Sequence, residues 1–87
     1  LMLMENFLKI VEKKIVKNIK VEKIIIIDNS YKHKKHKFFD VNKYHLYLEV
    51  KSKYLSTLSR LESQRLIMKI LDEELKDKIH ALEIKII

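Results

Sequence analysis

Glycine, proline, cysteine and tryptophan are all missing from this 87-residue sequence. At average usage of about 7% Gly and about 5% Pro, a chain of this length holds several of each. Without glycine there is no P-loop and no dinucleotide fingerprint, because both wrap a phosphate with backbone that only glycine lets approach closely. Without cysteine there is no thiolate zinc site, no thioredoxin-type pair, no Cys nucleophile and no disulfide framework. The chemistry left to this chain is that of histidine, carboxylates, hydroxyls and basic groups, or of thiols borrowed from a partner.

What is present is globular in character. Hydrophobic residues make up 47% and charged residues 36%, which is enough apolar material to bury a core. The length fits one small domain over residues 1–87. The formal net charge of +7 points to an anionic partner such as nucleic acid, an acidic protein or a membrane surface. A/T-rich codon drift, which enriches Lys, Ile and Asn together, competes with that explanation. No apolar run approaches the roughly 18 residues of a membrane span, and Ile24–Ile27 is only strand-sized. No signal-peptide or transit-peptide pattern opens the sequence. The chain starts on Leu1 with Met2 and Met4 close behind, so an upstream segment and the cellular address, cytoplasmic or mitochondrial, stay open.

Hydrophobic periodicity divides the chain into elements. Met4, Phe7, Leu8, Val11, Ile15 and Ile19 recur at helical spacing, with Lys9, Lys13, Lys17 and Lys20 opposite. This predicts an amphipathic helix with a solvated basic face, ended by Asn18 in the left-handed conformation that Asn tolerates. Val21–Asp28 is β-branched and reads as a strand, its isoleucine run implying burial on both faces. Asp28, Asn29 and Ser30 form a turn, and Tyr31–Asn42 a long basic loop. His45–Lys53 alternates, with Leu46, Leu48 and Val50 on one side. Ser59 and Glu62 have the spacing of a capping box at the start of a second helix. Its expected core face is Leu61, Ile67, Met68, Leu71 and Leu75, and it fades near Lys76–Lys78. Ala81–Ile87 alternates again, with Leu82, Ile84 and Ile86 inward. The order α-β-β-α-β predicts an α+β fold: a three-stranded mixed sheet, its last two strands parallel through a right-handed helical crossover, with the helices on one face.

Four histidines, His33, His36, His45 and His80, are the titratable groups of interest. His33 and His36 stand among four lysines in the long loop. Two loop histidines are only half a metal site, and the lysines suit phosphate or simple solvation equally. His80 sits at the junction of the second helix and the last strand, where the loop could fold beside it. Ser52, Ser56, Ser59 and Ser63 cluster at a helix start, where capping explains them, and Asp72, Glu73 and Glu74 read as a solvated helix turn. There is no H-E-x-x-H and no nucleophile elbow, so the sequence argues against an enzyme.

Three stretches resemble the BolA family: Asp28-Asn29-Ser30-Tyr31-Lys32-His33; Gln64-Arg65-Leu66-Ile67 followed by Leu71-Asp72-Glu73-Glu74-Leu75; and Ile79-His80-Ala81-Leu82-Glu83-Ile84. The resemblance implies a BolA, KH-like fold and a non-enzymatic adaptor that binds a monothiol glutaredoxin. Within such a pair, a 2Fe-2S cluster serves iron–sulfur trafficking or iron regulation. Glutaredoxin and glutathione give the thiolates, and the BolA protein gives histidines. Carried over here, the ligands are His80 and His33, with His36 as the substitute for His33 and His45 at the far end of the loop. Imidazole ligation is established iron–sulfur chemistry, and because only neutral imidazole binds, the cluster should weaken at mildly acidic pH. The alternative is a nucleic-acid-binding regulatory module using the basic loop and helix face. Against it, Thr57-Leu58 and Ser63-Gln64-Arg65 stand where the family usually has Gly-Lys and often Arg-His-Arg, and a glycine-free chain has no GXXG loop for RNA.

Overall fold

The computed structural model describes residues 4–30 and 44–87. In chain order they form helix α1 (Met4–Asn18), strand β1 (Lys23–Asp28), strand β2 (Tyr44–Lys51), a 3-10 turn (Leu55–Thr57), helices α2 (Arg60–Ile70) and α3 (Asp72–Asp77), and strand β3 (Ile79–Ile86). The sheet order is β1-β2-β3. β1 pairs with β2 antiparallel, Ile24 opposite Val50 and Asp28 opposite Leu46. β2 pairs with β3 parallel, as the helical crossover requires. The expected α+β architecture with a mixed sheet is therefore the one observed.

One row of β2, Leu46, Leu48 and Val50, is buried and meets Phe7, Val11, Ile15 and Ile19 of the α1 stripe and Ile67 and Leu71 at the crossover. The helices cover this face. Phe7 also stacks flat on Tyr44 with ring centroids 4.5 Å apart, fixing the start of α1 to the start of β2. Lys9, Lys13, Lys17 and Lys20 face solvent. Lys14 instead turns to α3, where its Nζ donates to both carboxylate oxygens of Glu74 at 3.0 Å, with Glu73 at 3.8 Å.

Several local expectations need correction. Helix α1 ends at Asn18 as expected, but no described residue has positive φ. The Asn18 side chain donates instead to the Lys14 carbonyl at 2.8 Å, closing the helix by a side-chain bond rather than a left-handed cap. β1 is an edge strand, so Ile24, Ile25 and Ile26 are half-buried and Ile27 is exposed; no described layer covers its second face. The capping box is present, Ser59 Oγ accepting from Glu62 N–H at 3.0 Å and Glu62 Oε1 from Ser59 N–H at 3.2 Å. The second helix is broken at Leu71, whose ψ of 20° leaves the helical region while its side chain stays fully buried.

Its core face is also rotated from the expected one. Ile67 and Leu71 are buried and Leu75 is half-buried, but Leu61 and Met68 are 56% and 47% exposed. Met68 lies one residue, or about 100° of helix rotation, beyond Ile67, and the inward place is taken by Ser63, whose Oγ donates to the Leu55 carbonyl at 3.1 Å. Ser52 is the other buried serine among the described residues, donating to the Lys20 carbonyl at 2.7 Å and accepting from Leu55 N–H at 3.2 Å. These serines serve the backbone, as capping and turn hydroxyls do.

The packing predicts a sharp contrast between neighbours. Ile67→Ala should lower unfolding free energy by about 2–5 kcal/mol, whereas Met68→Ala should change it by no more than about 0.5 kcal/mol, measured by urea denaturation. Lys14 is held above its ordinary pKa of 10.5 chiefly by its hydrogen bond to Glu74. A raised lysine pKa stabilises the fold below the unfolded value and stops doing so as pH climbs through the folded one. The stability gap between wild type and Glu74→Gln should therefore be present at neutral pH and close above pH 10.5.

Candidate functional site

The candidate site lies where β2 and β3 begin. Leu82, Ile84 and Ile86 follow the two-residue period of a strand, and the preceding inward residue, Ile79, is three positions before Leu82. One extra residue must be absorbed there. The register shows where: Tyr44 pairs with Ile79, but His45 pairs with Ala81. His80 is the residue left over in a β-bulge. A bulge re-aims the side chain it carries, and here it lets Ile79, 2% exposed, remain in the core while the next side chain, His80, is exposed.

His45 packs beside it. The two imidazoles are 5.0 Å apart between centroids and tilted by 44°, yet His45 is only 8% exposed. His45 is thus a wall against which the exposed His80 rests. Asn29, Leu46, Ala81, Leu82 and Glu83 join His45 around a cleft of about 270 Å³. The β1–β2 loop is rooted at the same end. The Asn29 amide donates to the His45 carbonyl at 2.7 Å, and Ser30 Oγ accepts from the His45 amide at 3.1 Å while donating to Asp28 Oδ1. Asp28 Oδ1 also accepts from the Ser30 amide at 3.0 Å. This is the Asx turn that Asp-Asn-Ser favours.

Of the sequence-predicted ligands, His80 is exposed at this end of the sheet and His45 is buried against it. His33 and His36 lie outside the described residues. The bulge and the burial of His45 were not anticipated. The three-residue gap between Ile79 and Leu82 was the signal for the first. Among the described residues no three His, Asp or Glu side chains gather into a metal-binding group, so these residues alone do not enclose an ion. An exposed neutral imidazole can nonetheless complete a site whose other donors come from outside the chain. The donor type present fits iron on a shared centre.

The loop root can be tested directly. Ser30→Ala removes the acceptor of the His45 amide, and hydrogen exchange at that amide should accelerate by about fivefold, matching loss of a bond worth about 1 kcal/mol. The amides of Leu48 and Val50 should keep their rates.

Comparison with known proteins agrees with this fold. A family model described as BolA-like protein matches residues 15–87. The UV-induced protein uvi31 of Schizosaccharomyces pombe is 36% identical over 70 residues, which span 76% of this chain and 69% of the relative. The BolA domain of SufE1 from Arabidopsis thaliana is similar with a TM-score of 0.79 and 27% identity, covering 99% of this chain and 93% of that one. BolA1 from Arabidopsis thaliana gives a TM-score of 0.77 and 27% identity, covering 90% and 86% of the two chains. With residues 15–87 matched by the family model and 99% of the chain matched in fold, the chain belongs to the BolA-like protein family.

Proposed function

We propose that this protein is a non-enzymatic adaptor that binds a monothiol glutaredoxin and contributes histidine ligands to a 2Fe-2S cluster held between them. The observation that carries this reading is His80: an exposed imidazole set on a bulge, backed by the buried His45 ring, at the sheet end where the histidine-bearing loop is rooted. His80 would hold one position on the cluster and His33 the other, with His36 as the substitute. The absence of cysteine accords with a chain whose share of a centre is nitrogen alone. When bound, the cluster supplies electron-transfer and iron-donating capacity, with histidine ligation raising its potential. The protein's own part is to present His80 at the sheet end beside the His45 ring and to hold the root of the loop through Asp28 and Ser30.

The test is to titrate the full chain into a glutathione-loaded, cluster-bearing monothiol glutaredoxin and follow visible absorption and circular dichroism. Wild type should change the spectrum. His80→Ala should abolish the change, and His33→Ala should weaken it more than His36→Ala does. An unaltered spectrum with wild type refutes the proposal, and equal loss in the two loop variants refutes the loop assignment. The exposed lysine row Lys9, Lys13 and Lys17 of α1, continued by Lys20 just beyond it, supports a second reading as a nucleic-acid-binding module. That reading requires retardation of DNA or RNA that falls steeply as salt rises, and no shift at low salt dismisses it.

A further inference from the structure

The outer edge of β3 is open among the described residues, since the sheet order ends there. Its inward row, Leu82, Ile84 and Ile86, remains only half-buried, whereas Leu46, Leu48 and Val50 on the neighbouring strand are 0–3% exposed. The backbone says which groups are available. The Ile87 amide donates to the Val50 carbonyl at 2.9 Å, so odd-numbered residues of this stretch turn their N–H and C=O toward β2. Leu82, Ile84 and Ile86 alternate with them and turn theirs outward.

We propose that this edge binds a second copy of the chain, β3 pairing antiparallel with β3 about a two-fold axis at Ile84. In that register Ile84 meets Ile84 of the second copy and Leu82 meets Ile86, all through backbone groups already directed outward. The alternate, closely spaced positions place Glu83 opposite Lys85 and Ala81 opposite Ile87. Every pair is therefore apolar with apolar or acid with base, and Glu83 and Lys85 are both exposed. Neighbouring registers with the same hydrogen-bond parity fail: one sets Glu83 against its own copy, the other Lys85 against its own. Like charges directly opposite oppose pairing. Isologous contact of this kind closes on itself, and an axis perpendicular to the sheet keeps both helical layers on one side of a six-stranded sheet. The edge of β1 is less suited, because outward-directed pairing about Ile25 puts Lys23 opposite Ile27, and an edge lysine is a common guard against association. His80 precedes Ala81, the first residue given a partner in this register, and the proposal stands apart from any cluster role.

Sedimentation equilibrium of the full chain, without glutaredoxin, from micromolar to near-millimolar concentration is the test. Wild type should show a monomer–dimer equilibrium. Glu83→Lys alone and Lys85→Glu alone should each raise the dissociation constant by about tenfold, since each converts two attractive cross-strand pairs into repulsive ones. The double exchange E83K/K85E should restore it. Amide exchange gives a second readout: Leu82, Ile84 and Ile86 should slow as concentration rises, while Glu83 and Lys85 should not. A chain that stays monomeric throughout, single variants that associate like wild type, or a double exchange that recovers nothing would each overturn the proposal.

Discussion

The structure depends on β2 being a strand with partners on both sides. Its row of Leu46, Leu48 and Val50 is the most completely buried run in the sheet, and helix α1, the crossover helices and both edge strands are organised around it. Each inward residue buried from water contributes about 1.5–3 kcal/mol of transfer free energy, set against the entropy of ordering the chain. A small sheet of three strands has only one strand of this kind. The edges must be managed by other means: charge at Lys23 on β1, and, on β3, a pattern of alternating apolar and charged residues that can be satisfied by self-pairing.

The same strand sets up the candidate site. The parallel β2–β3 ladder continues without fault from Leu46 to Val50 and slips by one residue at Tyr44 and His45. A regular ladder would have sent His80 and Ile79 to the wrong faces, burying an imidazole or exposing a core isoleucine. The bulge resolves this in favour of both. The buried His45 ring then lies beside the exposed one, 5.0 Å away between centroids. The Asp28–Ser30 turn binds the loop to His45 through two backbone groups, so loop root and histidine pair form one mechanical unit.

Glycine-free and proline-free construction has a visible cost in turns. With no described residue at positive φ, the end of α1 and the start of α2 are closed by side chains, Asn18 back to Lys14 and Ser59 with Glu62, while Ser52 and Ser63 donate inward to backbone carbonyls. The Lys14–Glu74 pair joins α1 to α3 across 60 residues of sequence. Side-chain hydrogen bonds thus do at these joints what backbone freedom does in other chains.

By itself the sequence determined the element order, the parallel crossover, the inward row of β2 and the Ser59–Glu62 capping box, because all of these follow from local periodicity and short-range chemistry. The family resemblance of the Ile79-His80-Ala81-Leu82 context also singled out His80. What only the tertiary structure decided was orientation. Which side of α2 faces inward turned on where Ser63 could meet the Leu55 carbonyl, a contact between separate elements that no 3.6-residue period encodes, so Leu61 and Met68 came to the surface. That β1 is half-exposed on both rows followed from its edge position in the sheet, which an isoleucine run cannot reveal. His45 and His80, 35 residues apart in sequence, met because a long-range register slipped by one residue, and strand register is a property of two strands together rather than of either alone.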